Sequence, residues 1–237
     1  MAKTQRADLR QRADALLDAA AELLVSVGPR GLRIEEVAGC AGVGKGTVYL
    51  HWVSREHLLL AVGAREAAAM YEAVIASIRA DPVEAALHRY LRRLFLEAMR
   101  RPILRSIFIA DEADLAAFAN QPTRSELAET KLLAARDHLA VLRDHRLLRP
   151  GLDLVDVDHA VQAIAYGFFA ATPLLPGDPH FSLEHRADLL ADIIRCSFEP
   201  ARTPAFERYA AAAPRIIDAS ERLAGQFARI AYVTAAD

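Results

Sequence analysis

Along nearly the whole chain apolar residues recur at intervals of three and four, and no stretch alternates strictly between apolar and polar over strand length. The pattern predicts an all-α protein. A first helix over 6–27 carries Leu9, Ala13, Leu16, Leu17, Ala20, Leu23, Leu24 and Val27 along one stripe, and Gly28-Pro29 is placed to stop it. A short second helix follows Gly31-Leu32. There Ile34, Val37, Ala38 and Ala41 fall at i, i+3, i+4 and i+7, leaving Glu35 and Glu36 on the wet side near the positive helix N-terminus. Gly42 marks a break before a third segment, 44–52, and Ser54 is positioned to cap a long fourth helix that starts at Arg55 and includes 58–78. Asp81-Pro82 then offers a cap and a first-turn proline for a helix over 82–100. Further helices are expected over 103–119, 123–147, 154–172 and 182–198, punctuated by Pro102, Pro122, Pro150-Gly151 and a proline-rich loop at 173–179. The last stretch, 203–235, is Ala-rich with Phe206, Tyr209, Ile216, Ile217, Leu223, Phe227 and Ile230 at helical spacing, and Pro214 is expected to interrupt it.

Composition narrows the class. With 237 residues, 53% of them apolar, the chain is long enough to bury a core without disulfides. No apolar run approaches the roughly 18 residues of a membrane span, so a soluble protein is expected. Two cysteines, Cys40 and Cys196, are too few and too far apart for a disulfide framework or a Cys-rich zinc site, and the polar, basic N-terminus has no secretory pattern, so a cytoplasmic home is expected. Residues 1–55 hold eight Lys/Arg against six Asp/Glu, which leaves 21 against 25 for 56–237. The asymmetry is mild and is compatible with a small nucleic-acid-binding head on an acidic body.

Residues 39–47, Gly-Cys-Ala-Gly-Val-Gly-Lys-Gly-Thr, satisfy the first seven positions of a phosphate-binding loop, G-x-x-x-x-G-K. Such a loop needs a buried strand to deliver it and a helix to leave it, so that backbone N–H groups converge on the phosphates. What precedes it here, Arg33-Ile34-Glu35-Glu36-Val37-Ala38, has helical period and two carboxylates. The same residues fit a helix-turn-helix: two short helices meet through Val37, Ala38, Ala41, Val43 and Val48, leaving the second free for a major groove.

On these residues the chain resembles the TetR/AcrR family of bacterial repressors. The order and spacing of Ile34-Glu35-Glu36-Val37-Ala38, Ala41-Gly42-Val43, Lys45-Gly46-Thr47-Val48-Tyr49-Leu50-His51-Trp52, Ser54-Arg55-Glu56 and Leu58-Leu59 agree with the family's DNA-binding head, over about 8–62. The resemblance implies a three-helix head over 1–55 and a larger helical effector-binding and dimerisation body over 56–237. It places Lys45 and Thr47 against base edges or phosphates, Tyr49 and His51 against the DNA backbone, and Gly44 and Gly46 where the helix comes close to the groove. Trp52 is read as core, and Arg55 as a phosphate contact. Arg33 departs from the family's usual Ser or Thr: it can reach a phosphate but cannot cap the second helix.

For the body the resemblance implies a homodimer through 154–172 and 182–198, with Val161, Ala165, Phe169, Leu189, Leu190 and Ile193 apolar enough for interface or for core. Phe95, Met99, Phe108, Phe118, Tyr166 and Phe168 are candidates to line a pocket for an apolar or aromatic small molecule. His185, Asp188 and Asp192 share a helical face with His180 upstream, but no tight ligand pair repeats, and neither a metal nor a cofactor is expected. No local signature marks a catalytic serine. The expected function is a non-enzymatic, ligand-responsive transcriptional repressor that binds an inverted-repeat operator in double-stranded DNA. The alternatives are a phosphate-loop nucleotide kinase and a helical ligand-binding protein without DNA function. The role of 200–237 is left open.

Overall fold

The computed structural model describes residues 2–107, 122–173, 175 and 181–232. Among them there is no strand. Helix α1 spans Ala2–Gly31, α2 Ile34–Cys40, α3 Lys45–His51 and α4 Arg55–Ala80. A 3-10 turn at Pro82–Ala85 leads to α5, Leu87–Arg100, and α6, Pro102–Ile107. The remaining helices are α7, Pro122–Asp144; α8, Leu154–Ala171; α9, Leu183–Phe198; and α10, Phe206–Tyr232.

The starts follow the capping chemistry of the sequence. Ser54 accepts from the His57 amide at 3.1 Å, Asp153 from Val155 at 2.7 Å and Asp156 at 3.4 Å, and Ser182 from His185 at 3.1 Å, each cap contributing about 1 kcal/mol. Three boundaries differ from expectation. The backbone leaves helical geometry at Gly28, with φ 73°, but another turn forms through Pro29 before α1 ends. Asp81 closes only the 3-10 turn, because Ala86 is extended at ψ 138° and α5 starts after it. Pro214 does not interrupt α10: it lies on the exposed face, where water can bond the carbonyl that loses its donor, while the opposite face is held by packing.

Buried side chains sort into two cores. The first joins Leu16, Leu17 and Ala20 of α1 to Leu32, Val37, Val48, Trp52 and the first turns of α4, Leu58 to Val62. The second starts at Ala64 of α4 and takes in Phe95, Leu142, Leu190, Ile194, Ile216 and Phe227. Helix α4 is therefore shared. Helix α10 packs along it, with Tyr71 and Phe227 stacked at 5.8 Å, and α5 packs against α9. Glu199, just past α9, is buried and holds α5 by accepting from the His88 amide at 2.9 Å and pairing with His88 Nδ1 at 2.7 Å.

The turn between α2 and α3 is a helix C-terminal cap built on glycine. The Val43 amide donates to the Ala38 carbonyl at 2.9 Å and the Gly42 amide to Gly39 at 3.1 Å, which puts Gly42 in the left-handed region at φ 68°. No atom lies within 4 Å of where a Cβ would sit, so only the backbone resists a side chain. Gly42→Ala should lower stability by about 1–2 kcal/mol, and calorimetry should find a melting temperature reduced by roughly 2–4 °C per kcal/mol.

His138 of α7 is buried with its Nε2–H on the Ala85 carbonyl at 3.1 Å and the Tyr90 ring edge-on at 4.4 Å. Burial lowers its pKa from 6.5 to about 4. The unfolded chain therefore binds the extra proton first, so the neutral histidine's contribution is fully present above pH 6.5 and is lost as pH falls toward 4. Thermal melts between pH 7.5 and 4.5 should show His138→Gln less stable at the upper end but with a shallower loss on acidification; parallel profiles would contradict it.

Candidate nucleic-acid interface

Helix α3 has seven residues, and its helical faces are clearly divided. Val48 and His51 point inward with Trp52 behind them, all three buried. At 100° per residue the opposite face carries Lys45, Gly46, Tyr49 and Leu50. All four are exposed, and Leu50, at 70%, is the most exposed large apolar side chain among the described residues. Gly44 precedes the helix in extended conformation, at φ −77°, ψ 150°, with its carbonyl accepting from the Thr47 amide at 2.9 Å. Thr47 is half-buried at the edge of the outward face. A Cβ on Gly46 would meet nothing within 4 Å, so the glycine relieves no internal clash and leaves the backbone approachable from outside.

Lys45 pairs with Glu35 of α2 through its ammonium and lies 5.8 Å from the Tyr49 ring centre. The hydrogen bond to Lys45 lowers the Glu35 pKa, and the same bond raises that of Lys45. Both groups are in water, so the pair is screened and gives way to a stronger anion. Arg33 stands exposed in front of α2 and makes no side-chain cap; its carbonyl accepts from Glu36 and Val37 at 3.1 Å instead.

Two expected DNA contacts lie elsewhere. His51 is 4% exposed, with its ring 5.3 Å from that of Trp52, and burial, aided by the charge of Arg12, lowers its pKa. It falls on the inward face with Val48, which turns it away from any groove that α3 enters. Arg55 is half-buried and reaches backward: its Nε–H donates to the Leu32 carbonyl at 2.9 Å and its Nη2 to the Pro29 carbonyl. Those carbonyls are left without helical partners where α1 ends, and the guanidinium fork bridges them. Leu50 is the position that sequence reasoning passed over. Its signal was available, since it stands four residues after Gly46 and opposite Val48 on the helical wheel.

The structure brings the candidate effector residues together only in part. Phe95 and Met99 are buried in the body core, and Phe168 meets the Phe95 ring edge-on at 6.4 Å. Tyr166, 67% exposed, faces solvent, two positions along α8 from Phe168 and on another side of the helix. Phe108, Phe118 and His180 lie outside the described residues. Of the possible interface residues, Val161, Ala165, Phe169 and Leu190 are buried in their own core, whereas Leu189 and Ile193 stay partly exposed. They edge an apolar groove of about 720 Å³ between α8 and α9, together with Ala163, Ile164, Gly167 and Phe168. A smaller cleft of about 420 Å³ beside α5 is charged, and there Arg92 pairs with Asp188 at 2.6 Å and Arg89 with Glu84 at 3.1 Å.

Residues 39–47 form the end of α2, a turn and the start of α3, so no strand delivers them and they do not make a phosphate loop. Among the described residues no helix is long and apolar enough to cross a membrane. Residues 16–62 match the profile of the bacterial regulatory proteins, tetR family. No curated protein sequence is a significant match to the chain. Similar solved structures include a candidate transcriptional regulator from Streptomyces coelicolor, 27% identical, covering 81% of this chain and 99% of that one with a TM-score of 0.54. SmeT, the repressor of the Stenotrophomonas maltophilia multidrug efflux pump SmeDEF, is 19% identical over 82% of this chain and 93% of its own, at 0.58. The fatty acid degradation regulator FadR from Bacillus halodurans is 16% identical over 76% of this chain and 96% of its own, at 0.58. Residues 16–62 thus carry the tetR-family head, and the two-part all-helical fold built around it is similar to that of solved transcriptional regulators.

Proposed function

We propose that this protein is a ligand-responsive transcriptional repressor that binds an inverted-repeat operator as a homodimer. The observation that carries this is the division of α3: a buried seat of Val48, His51 and Trp52 beneath an outward face of Lys45, Gly46, Tyr49 and Leu50. At 1.5 Å per residue the helix is about 10 Å long, which suits a major groove about 12 Å wide. Gly46 lets the backbone close on the duplex, Lys45 exchanges Glu35 for a phosphate or a guanine edge, and Tyr49, Thr47 and Gly44 contact the strand at the helix's rim. Arg33 adds a phosphate contact from the start of α2. In this reading His51 and Arg55 hold the head together and do not touch DNA. The head reads DNA and the body senses, with α4 as the element common to both.

The apolar groove between α8 and α9 supports the dimer. Leu189, Ile193, Ile164 and Phe168 present there a self-complementary strip to a second copy, and a twofold axis through it sets the half-sites one or more helical turns apart. An apolar effector is favoured by the aromatic packing of Phe95 and Phe168, and the crystallised complex of SmeT with triclosan gives a similar fold such a ligand. Release follows only if the effector binds the geometry that does not fit the operator more tightly than the one that does.

Fluorescence anisotropy with duplexes flanking the coding region, at two salt concentrations and against a scrambled duplex, tests the reading. Selective, salt-weakened binding is expected. Lys45→Ala should weaken it by on the order of tenfold or more. Gly46→Ala should weaken it while stabilising the free protein by about 0.5–1 kcal/mol. Arg55→Ala should lower the melting temperature and leave the salt slope unchanged. Unselective binding by the unmodified chain, followed by a blank selection from random duplexes, would favour a helical ligand-binding protein instead; negligible losses for both Lys45→Ala and Gly46→Ala would remove α3 from the interface.

A further inference from the structure

The C-terminal helix ends inside the DNA-binding head. Helix α10 is anchored in the body along α4 and α7, through the Tyr71–Phe227 stack at 5.8 Å, an Arg79–Glu221 ion pair and Arg222 on Asp137 at 3.3 Å. Its last turn then crosses to the other core. The Trp52 Nε1–H donates to the Ala231 carbonyl at 3.3 Å, spanning 179 positions of sequence, and Tyr232 packs against the head core. The Tyr232 hydroxyl donates to Asp14 Oδ1 of α1 at 2.5 Å, and the Arg10 guanidinium covers its ring at 3.2 Å from the centre. Burial and the Asp14 carboxylate both raise the Tyr232 pKa, which keeps the hydroxyl a donor.

Trp52 follows α3 directly and is 1% exposed, so the group that α10 holds is the seat of the recognition helix. Three elements thus join head to body, since Ile103 of α6 lies in the head core and Leu104 in the body core. Helix α4 runs continuously from one to the other, and on its own it would let the head rock about the helix axis. The Trp52–Ala231 and Tyr232–Asp14 contacts lie beside that helix, at the end of α3 and on α1, and oppose such rocking.

We propose that the last turn of α10 is a positioning clamp: it fixes the angle of the head on the body and thereby fixes the half-site spacing that the dimer accepts. Trp52, Tyr232 and Asp14 are positioning residues, since they act through α3 and α1. This rests on the operator-binding reading above. Inserting one base pair between half-sites moves them apart by about 3.4 Å and rotates them by about a tenth of a turn, so a clamped dimer must deform either the DNA or its own head contacts. A head freed from α10 follows the displaced half-site at lower cost.

The test takes an inverted-repeat duplex that the full chain selects from a random library, together with versions whose central spacer is one base pair longer or shorter. Each is titrated with the unmodified chain, with Tyr232→Phe, and with a chain ending at residue 228, which keeps Phe227 but lacks Ala231 and Tyr232. For the unmodified chain a one-base-pair change is expected to cost on the order of tenfold in affinity, and for both variants roughly threefold or less, with the same salt slope on the parent duplex. The salt slope reports phosphate contacts, which a clamp does not make. Circular dichroism melts establish that the shortened chain is folded; if it is not, Tyr232→Phe decides alone. Equal spacer penalties in all chains, or a uniform loss at every spacer, would overturn the clamp. Failure of the unmodified chain to select any duplex would overturn the operator-binding reading, and the clamp with it, which is a different result from a shared spacer profile.

Discussion

Burial of the Trp52 side chain is the constraint on which the rest of the head depends. The chain's one tryptophan closes α3, packs in one core with α1, α2 and α4, and donates its only polar hydrogen to the last turn of α10, 179 positions away in sequence. With Val48 and His51 beside it, it turns one face of a seven-residue helix inward. A helix this short is not stable alone in water, so packing of that face is what makes it a helix at all. The outward face is then fixed by geometry: whatever stands at 45, 46, 49 and 50 must meet solvent or a partner. Truncating a buried aromatic of this size costs on the order of 3–5 kcal/mol, a large share of a typical domain's stability.

The same economy holds along α4. Its first turns belong to the head core and its remainder to the body core, so a change in body packing near Ala64 or Tyr71 has a rigid path to Leu58 and the seat of α3. Charged groups reinforce that path at the surface: Arg65 of α4 meets Asp18 of α1 at 2.7 Å, and Arg101, between α5 and α6, reaches Glu66 of α4 at 3.8 Å. Isolated surface pairs of this kind contribute little each. What they add is direction, since each ties a different segment to α4 and the Arg65–Asp18 pair could not form if the head turned. Helix α10 has the same geometry with apolar packing behind it, which makes it the stiffer tie.

Much of this was legible in the sequence because it rested on local rules. Helical periodicity announced the all-α class, Ser54 announced its helix start, and Gly42 announced the turn it makes. The helix-turn-helix emerged from the spacing of Val37, Ala38, Val43 and Val48, and the apparent phosphate loop lost its meaning once helical period was recognised upstream of it. What escaped depended on distant partners. Nothing near Arg55 reveals that two carbonyls at the end of α1 and just past it wait for it, and nothing near His51 reveals the charge of Arg12 beside it. Pro214 was overruled by packing against α4, which a local rule does not see. The docking of Tyr232 on Asp14 joins residues 218 positions apart, beyond the reach of any periodicity. In the body, helix faces were identifiable, but one-residue shifts decide function: Leu190 is core and Leu189 lines the groove.

In the proposed function the outward face of α3, held by the Trp52 seat, reads a symmetric site in double-stranded DNA. The most direct measurement is sequencing of duplexes that the full-length protein enriches from a fully random library over successive rounds. The expected result is one inverted repeat with half-sites one or more helical turns apart, lost when the salt concentration is raised. An unenriched pool, or enrichment of sequences with no twofold relation, would contradict it.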